Sequence, residues 1–156
     1  MNIIYKFQPT APYSLHDMKI SNIEAVGENV RLYFDNGYIC MQEDFPQVDG
    51  NILLEGVDFD ASYIHFLSEN GAYGDFNGEK ISILEFVKCY KDFSFEIIDE
   101  THGYNTVVYS GYLSLPKREP LIDATFSFYY TGNIVYELKD WWYFSDFDEC
   151  VYLRWY

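Results

Sequence analysis

The chain has 156 residues, of which 25 are acidic and 10 are basic, so its formal net charge is −15 at pH 7. Nucleic acids and anionic membranes attract proteins through Lys and Arg clusters, and we therefore expect neither a nucleic-acid partner nor a membrane partner. The length is typical of one domain, and we predict a single acidic, aromatic-rich domain over residues 1–156.

Composition also favours strands. Aromatic residues make up 21% of the chain, and 16 residues are Tyr. Tyr and Phe pack well on pleated surfaces, and the 49% hydrophobic content argues against disorder. The three cysteines, Cys40, Cys89 and Cys150, are few and far apart, as is typical of reduced thiols. With no secretory signal at the first nine residues, they predict a cytoplasmic protein.

The first strands are predicted between Lys19 and Gly37. Residues 30–34 alternate apolar and more polar side chains, as on a strand with one buried face. Lys19–Val26 precedes them, and Gly27-Glu28 marks the break. Because Asn36-Gly37 can adopt the positive φ angles of a type I′ turn, we predict a hairpin there and a three-stranded meander.

A helix is predicted in the middle of the chain. A short strand at residues 62–67 leads into a loop at 68–80 that is rich in Gly and Asn. Ser82 and Glu85 then match a capping box, in which each side chain accepts an otherwise unpaired N–H. The apolar residues that follow at helical spacing are Ile83, Phe86, Val87 and Tyr90. We expect this helix to end near Lys91 or Asp92 and to bury one stripe against a sheet.

The second half of the chain predicts long strands. Residues 106–115, 122–130 and 134–139 alternate between apolar and polar side chains. Gly111 indicates a bulge or a close backbone approach. Thr131-Gly132-Asn133 is predicted to turn the second of these strands into the third within one meander.

A last alternating segment at residues 149–156 brings the prediction to about nine to eleven strands, most of them joined by short turns. The predicted fold class is mainly β with one helix (α+β), in which antiparallel meanders form a curved sheet, a barrel or a two-sheet sandwich. Periodicity does not distinguish among these three arrangements.

No catalytic or metal-binding motif is present in the sequence. His16, His65 and His102 share no ligand spacing, and we place His65 on the polar face of a strand and His102 in a turn at residues 99–103. No nucleophile elbow, Walker loop or dinucleotide fingerprint occurs. We therefore predict no catalytic residue, no metal site and no cofactor.

Acidic clusters occur at Asp58 and Asp60, at Asp99-Glu100 and at residues 146–149. Alternating carboxylates can bind a hard cation such as calcium, but the full EF-hand pattern is absent. Because the chain has 25 acidic residues, such pairs arise readily by chance. We interpret these clusters as solvated edges.

The run WWYFSDF at residues 141–147 is the most unusual local sequence. One interpretation is that a Trp fills the core, since adjacent side chains of a strand point to opposite faces. Another is an exposed aromatic hot spot among carboxylates, which is the anatomy of a surface that binds a basic protein. A sugar-stacking platform is a third. The residues predicted to bind the partner are Trp141, Trp142, Tyr143, Asp146, Asp148 and Glu149.

The predicted function is that of a non-enzymatic protein-interaction domain that binds a basic protein. In size and charge the chain resembles small, acidic bacterial immunity proteins that neutralise basic toxins, although this resemblance implies no particular site residue. The alternatives are a small-molecule-binding β-barrel with a cavity lined by Tyr and Phe, and an enzyme. A homo-oligomer formed through an exposed strand edge is also open.

Overall fold

The computed structural model describes residues 1–5, 11–41, 44–67 and 78–139. These residues form thirteen strands and one helix, arranged as an antiparallel sheet of ten strands and a second sheet of three. Neither sheet closes on itself within the described residues. The predicted fold class is thus confirmed as mainly β with one helix, in the form of an open, curved sheet.

The strands are β1 (Asn2–Tyr5), β2 (Tyr13–Ser14), β3 (Lys19–Val26), β4 (Asn29–Phe34), β5 (Tyr38–Cys40), β6 (Gln47–Val48), β7 (Gly50–Leu54), β8 (Tyr63–Phe66), β9 (Glu79–Ser82), β10 (Ser94–Gly103), β11 (Thr106–Leu115), β12 (Arg118–Tyr129) and β13 (Ile134–Leu138). Helix α1 (Ile83–Cys89) lies between β9 and β10. There are more strands than predicted, partly because two-residue strands such as β2 and β6 are too short to show alternation.

The large sheet has the order β1-β13-β7-β4-β3-β10-β11-β12-β8-β9, and the small sheet has the order β2-β5-β6. The two halves of the large sheet, β1-β13-β7-β4-β3 and β10-β11-β12-β8-β9, join where β3 pairs with the start of β10. They meet again at one end, where Val57 bridges to Tyr130 and the rings of Tyr5 and His102 lie 5.0 Å apart. The sheet therefore curves far enough to bring β1 against β10.

The core lies between the two halves of the large sheet. Fully buried side chains include Leu32 and Tyr136 from one half and Phe95 and Phe126 from the other. The Phe95 and Phe126 rings stack with their centroids 4.0 Å apart. Along β12 the buried positions alternate as predicted, which confirms that strand's inward face.

Helix α1 begins as the sequence predicts and ends earlier. The Ser82 hydroxyl accepts a hydrogen bond from the Glu85 N–H at 3.2 Å, which confirms the N-cap. The helix ends at Cys89, because Tyr90 adopts an extended backbone and its ring packs 5.7 Å from the Phe66 ring. Residues 79–80, predicted as loop, belong to strand β9.

Two predicted strand connections are wrong. Asn36-Gly37 does not close a hairpin, since β4 belongs to the large sheet and β5 to the small one. Gly37 is needed there because a Cβ would lie 1.8 Å from the Val48 carbonyl oxygen. Likewise, Thr131-Gly132-Asn133 carries the chain from one half of the large sheet to the other, and β12 does not pair with β13. Its N–H groups bond instead to the Glu55-Gly56 backbone.

The close approach predicted at Gly111 is confirmed. A Cβ on this residue would lie 1.9 Å from the carbonyl oxygen of Glu96 on the neighbouring strand. The register of β10 against β11 shifts between Ile97 and Asp99, directly beside this contact. This bulge determines which side chains of β10 face the core.

Candidate functional site

The predicted partner-binding residues Trp141, Trp142, Tyr143, Asp146, Asp148 and Glu149 lie outside the described residues, as does the strand predicted at 149–156. The loop predicted at residues 68–77 lies outside them too. These assignments remain predictions. The sites described below come from the other parts of the chain.

Four connections between strands meet at one end of the large sheet. They are residues 27–28, 55–62, 104–105 and 130–133. The second connection bonds to the first through Val57 N–H and the Glu28 carbonyl, at 2.6 Å, and to the fourth through Thr131 N–H and the Gly56 carbonyl, at 2.9 Å. The fourth bonds to the third through Tyr130 N–H and the Asn105 carbonyl. Backbone hydrogen bonds thus hold all four connections as one surface, called here the acidic end.

The acidic end carries carboxylates and no basic residue. Glu28, Asp58 and Asp60 are exposed, and Glu55 is half-buried. The four ranges contain no Lys, Arg or His. None of these carboxylates forms an ion pair with a described residue. Lys80 lies at the border of this surface, with its Nζ 3.3 Å from the centroid of the Tyr63 ring, but it forms no ion pair with these carboxylates. The charge of the four connections themselves is therefore negative.

Hydrogen bonds within the acidic end fix two of its carboxylates. The Asp58 side chain accepts hydrogen bonds from the N–H groups of Asp60 and Ala61, at 2.9 and 3.1 Å. Glu55 accepts one from the Asn133 amide at 2.8 Å. The predicted Asp58 and Asp60 cluster is thus an Asp-stabilised turn. Across the described residues, no group of three or more His, Cys, Asp or Glu is placed to hold a metal ion.

An exposed tyrosine projects from the acidic end. Tyr104 occupies the tip of the β10–β11 hairpin and is 90% exposed. Its neighbour Asn105 has a φ of 60°, a left-handed conformation that Asn tolerates. Tyr129, at the base of the same surface, is also exposed. An exposed aromatic ring on a surface that also carries carboxylates matches the composition of protein-binding hot spots.

No ion pair of the described residues includes a residue of the acidic end. Arg31 binds Glu137 through two hydrogen bonds of 2.8 and 3.1 Å, which raise the pKa of the guanidinium. Lys19 lies 3.4 Å from Glu96, and Lys139 lies 3.2 Å from Asp49. These pairs neutralise the sheet faces and leave the negative charge of the acidic end in place.

A second polar site lies inside the fold. The placement of His102 in a turn is wrong, because β10 continues to Gly103 and the turn comes at Tyr104-Asn105. His102 pairs with Val107 and Glu100 pairs with Tyr109 in the antiparallel ladder, and both partners on β11 are fully buried. Paired residues share a sheet face, so Glu100 and His102 point inward.

Glu100, His102, Tyr109 and Tyr136 form what we call the inner polar cluster. The imidazole Nε2 of His102 lies 3.4 Å from the Glu100 carboxylate. Among the described residues, the hydroxyls of Tyr109 and Tyr136 and the Nδ1 of His102 are buried without a hydrogen-bond partner. Burial, and then the charge of Glu100, raises the pKa of the Tyr109 phenol well above its usual value. The Glu100 carboxylate and the Tyr109 phenol thus interact electrostatically.

The structure separates the predicted Asp99-Glu100 pair. Asp99 is exposed on the outer face, whereas Glu100 faces the core, because the bulge at Ile97 changes the alternation of β10. Sequence alternation alone would send Asp99, Thr101 and Gly103 inward. The one signal that could have revealed the inward Glu100 and His102 was the glycine at position 111.

Other sequence assignments hold or lead to no site. His65 lies on the face of β8 opposite the buried Ile64 and Phe66, as predicted, and contacts the Thr125 hydroxyl at 3.3 Å. His16 is exposed, with its Nδ1 2.6 Å from the Ile98 carbonyl oxygen. Cys40 is buried and Cys89 is exposed. Within the described ranges, no helix has the length and apolar character that a membrane crossing requires.

Tyr104, Glu28 and Glu55 were not identified from the sequence as candidate site residues. A usable signal was present, since each lies in or next to a turn that contains Gly or Asn and no basic residue. Sequence alone did not indicate that these turns meet. No protein-family model matches the chain, and comparisons with curated proteins and with solved structures also find no match.

Proposed function

We propose that this chain is a non-enzymatic interaction domain that binds a basic protein through the acidic end. The observation that carries the proposal is the convergence of four connections that contribute Glu28, Glu55, Asp58 and Asp60 and no cation. Complementary charge steers a basic partner toward such a surface and raises the association rate. The net charge of −15 acts in the same direction at longer range.

Rigidity and an aromatic anchor also support a binding role. The backbone hydrogen bonds among the four connections hold the carboxylates in place before a partner arrives, which lowers the entropic cost of association. Tyr104, exposed on one of the four connections, supplies apolar area with few rotatable bonds. Exposed tyrosines of this kind are typical anchors in protein interfaces.

The test compares two charge-neutralised proteins with the wild type. One carries Glu28→Gln, Glu55→Gln, Asp58→Asn and Asp60→Asn at the acidic end. The matched control carries Asp35→Asn, Asp44→Asn, Glu79→Gln and Asp92→Asn, which remove four exposed carboxylates elsewhere. Each protein is immobilised and exposed to extract from its source cell, and captured proteins are identified by mass spectrometry.

We expect the wild type and the control to capture the same basic protein and the acidic-end variant to capture at least tenfold less. A tenfold difference corresponds to about 1.4 kcal/mol, and the loss of one or two favourable charge contacts is enough to produce it. Amide side chains keep the hydrogen bonds that Asp58 and Glu55 accept, so both variants should fold. Capture of no basic protein by the wild type, or equal loss in both variants, would contradict the proposal.

A further inference from the structure

The inner polar cluster places polar groups where apolar residues would stabilise the fold more. Glu100 and His102 face a core made mostly of aromatic and aliphatic side chains. A buried hydroxyl without a hydrogen bond opposes folding, and Tyr109 and Tyr136 each bury one that has no partner among the described residues. Departures from good packing and pairing of this kind are expected at functional sites. The cluster therefore requires an explanation in terms of binding.

Glu100 and His102 are the partly exposed members of the cluster, and they lie on strand β10, which leads to the acidic end. Side-chain exposure is 19% for Glu100 and 12% for His102, and Tyr109 and Tyr136 are fully buried beneath them. His102 lies two residues from Tyr104, and Tyr130 belongs to one of the four connections. A side chain of a protein docked on the acidic end would therefore reach Glu100 and His102 first and the two phenols last.

The chemistry of the cluster favours a ligand that is rich in donors and positively charged. The Glu100 carboxylate accepts hydrogen bonds, and so do both phenolic oxygens. When Nε2–H of a neutral His102 donates to Glu100, Nδ1 is an acceptor as well. An anion would be repelled by Glu100. A guanidinium offers five N–H donors and a planar face that stacks on aromatic rings, whereas an ammonium offers three donors from one point.

Aromatic rings surround these acceptors. The Tyr5 ring lies 5.0 Å from the His102 ring, and Tyr130 is also nearly buried. A cation next to the faces of such rings gains further stabilisation, most of all where water is excluded. We propose that the inner polar cluster binds a guanidinium group, and, resting on the proposed function, that it receives an arginine side chain of the basic partner.

The test uses small probes in place of the partner. Isothermal titration calorimetry measures the binding of N-acetyl-arginine amide, of its uncharged isostere N-acetyl-citrulline amide and of N-acetyl-lysine amide to the intact protein. We expect saturable one-to-one binding of the arginine probe and at least tenfold weaker binding of the other two. Glu100→Gln should weaken the arginine probe tenfold or more, because it removes a charge-assisted hydrogen bond.

A second variant keeps the test independent of any folding defect in Glu100→Gln. Tyr109→Phe with Tyr136→Phe removes two hydroxyls, keeps both rings and leaves the Glu100–His102 pair intact. We expect it to bind the arginine probe about tenfold more weakly than the wild type. The variant neutralised elsewhere, with Asp35→Asn, Asp44→Asn, Glu79→Gln and Asp92→Asn, is the matched control. Its affinity for the probe should stay within about threefold, because exposed charges are solvent-screened.

The inference is overturned if the wild type shows no saturable binding of the arginine probe, if the citrulline or lysine probe binds equally well, or if both cluster variants bind as the wild type does. Such a result leaves the proposed function standing when capture of the basic protein still depends on the acidic end. If capture does not depend on the acidic end but the arginine probe still binds, the proposed function is contradicted. The guanidinium site then stands without the basic partner.

Discussion

The buried tyrosines show how single residues connect the fold to its chemistry. Tyr109 and Tyr136 are fully buried, and their rings fill the core as the aromatic composition predicts. Their hydroxyls have no hydrogen-bond partner among the described residues. The rings therefore stabilise the fold while the hydroxyls oppose it, and this imbalance gives a measurable pH dependence.

Burial raises the pKa of both phenols well above the model-compound value of 10.0. In the unfolded chain they ionise near that value, so the unfolded state gains stability once the pH exceeds it. We predict that the contribution of these phenols to the free energy of unfolding does not change with pH below about pH 10 and falls above that pH. The expected slope is about 1.4 kcal/mol per phenol for each pH unit.

Urea denaturation at several pH values between 9 and 11 checks this prediction. The variant with Tyr109→Phe and Tyr136→Phe should lose stability less steeply above pH 10, and it should equal or exceed the wild type in stability at pH 7 because unpaired hydroxyls are removed. Identical slopes for the two proteins would show that the phenols are accessible to solvent.

At the scale of elements, the β10–β11 hairpin matters most, because its bulge turns Glu100 and His102 inward. We predict that Gly111→Ala destabilises the protein by about 3 kcal/mol or more, since the added Cβ would lie 1.9 Å from the Glu96 carbonyl oxygen. Gly103→Ala in the same hairpin is the control. Its Cβ would meet nothing closer than 3.7 Å, so its effect should stay within about 1 kcal/mol.

Thermal or urea unfolding of both glycine variants gives the comparison directly. A Gly111→Ala protein as stable as Gly103→Ala would mean that β10 and β11 do not approach each other closely and that the bulge is absent. The inward orientation of Glu100 and His102 would then lose its structural basis.

Alternation predicted the strands well and their partners in part, since β3 pairs with β4, as expected, and β11 pairs with β12, the next strand in the chain. The inward positions of β12 follow directly from residues 122–130, since burying one face of a sheet requires period-two patterning. Asn36-Gly37 correctly marks the break between β4 and β5, where Gly37 has a φ of 67°. Pairing beyond the turn depends on distant contacts, however, and Gly37 serves the approach of Val48 rather than a hairpin. The chain order therefore gives local pairs such as β3–β4 and β11–β12 but not the pairs between strands distant in sequence.

The candidate sites were harder to predict than the fold for the same reason. Asp58 and Asp60 were recognised as an acidic cluster, but their proximity to Glu28 depends on hydrogen bonds between connections distant in sequence. The sequence predicts His102 in a turn, whereas a single bulge alters the alternation of β10 and places His102 on its inward face. Local patterns do not contain either kind of information.

For the whole molecule, the important property is the uneven distribution of charge. The described cations Lys19, Arg31 and Lys139 pair with carboxylates on other parts of the surface, whereas the acidic end contains none. Charge concentrated in this way should attract a basic partner over distances of about one Debye length, roughly 10 Å at 0.1 M salt. Complementary charge should therefore raise the association rate with the partner.

Stopped-flow measurement of the association rate with the purified partner, as a function of ionic strength, tests that claim most directly. We predict that the wild-type rate falls about tenfold or more between roughly 20 and 200 mM salt. The acidic-end variant should associate more slowly at low salt and with a flatter dependence than the variant neutralised elsewhere. A wild-type rate that does not change with salt, or equal dependence in the two variants, would contradict it.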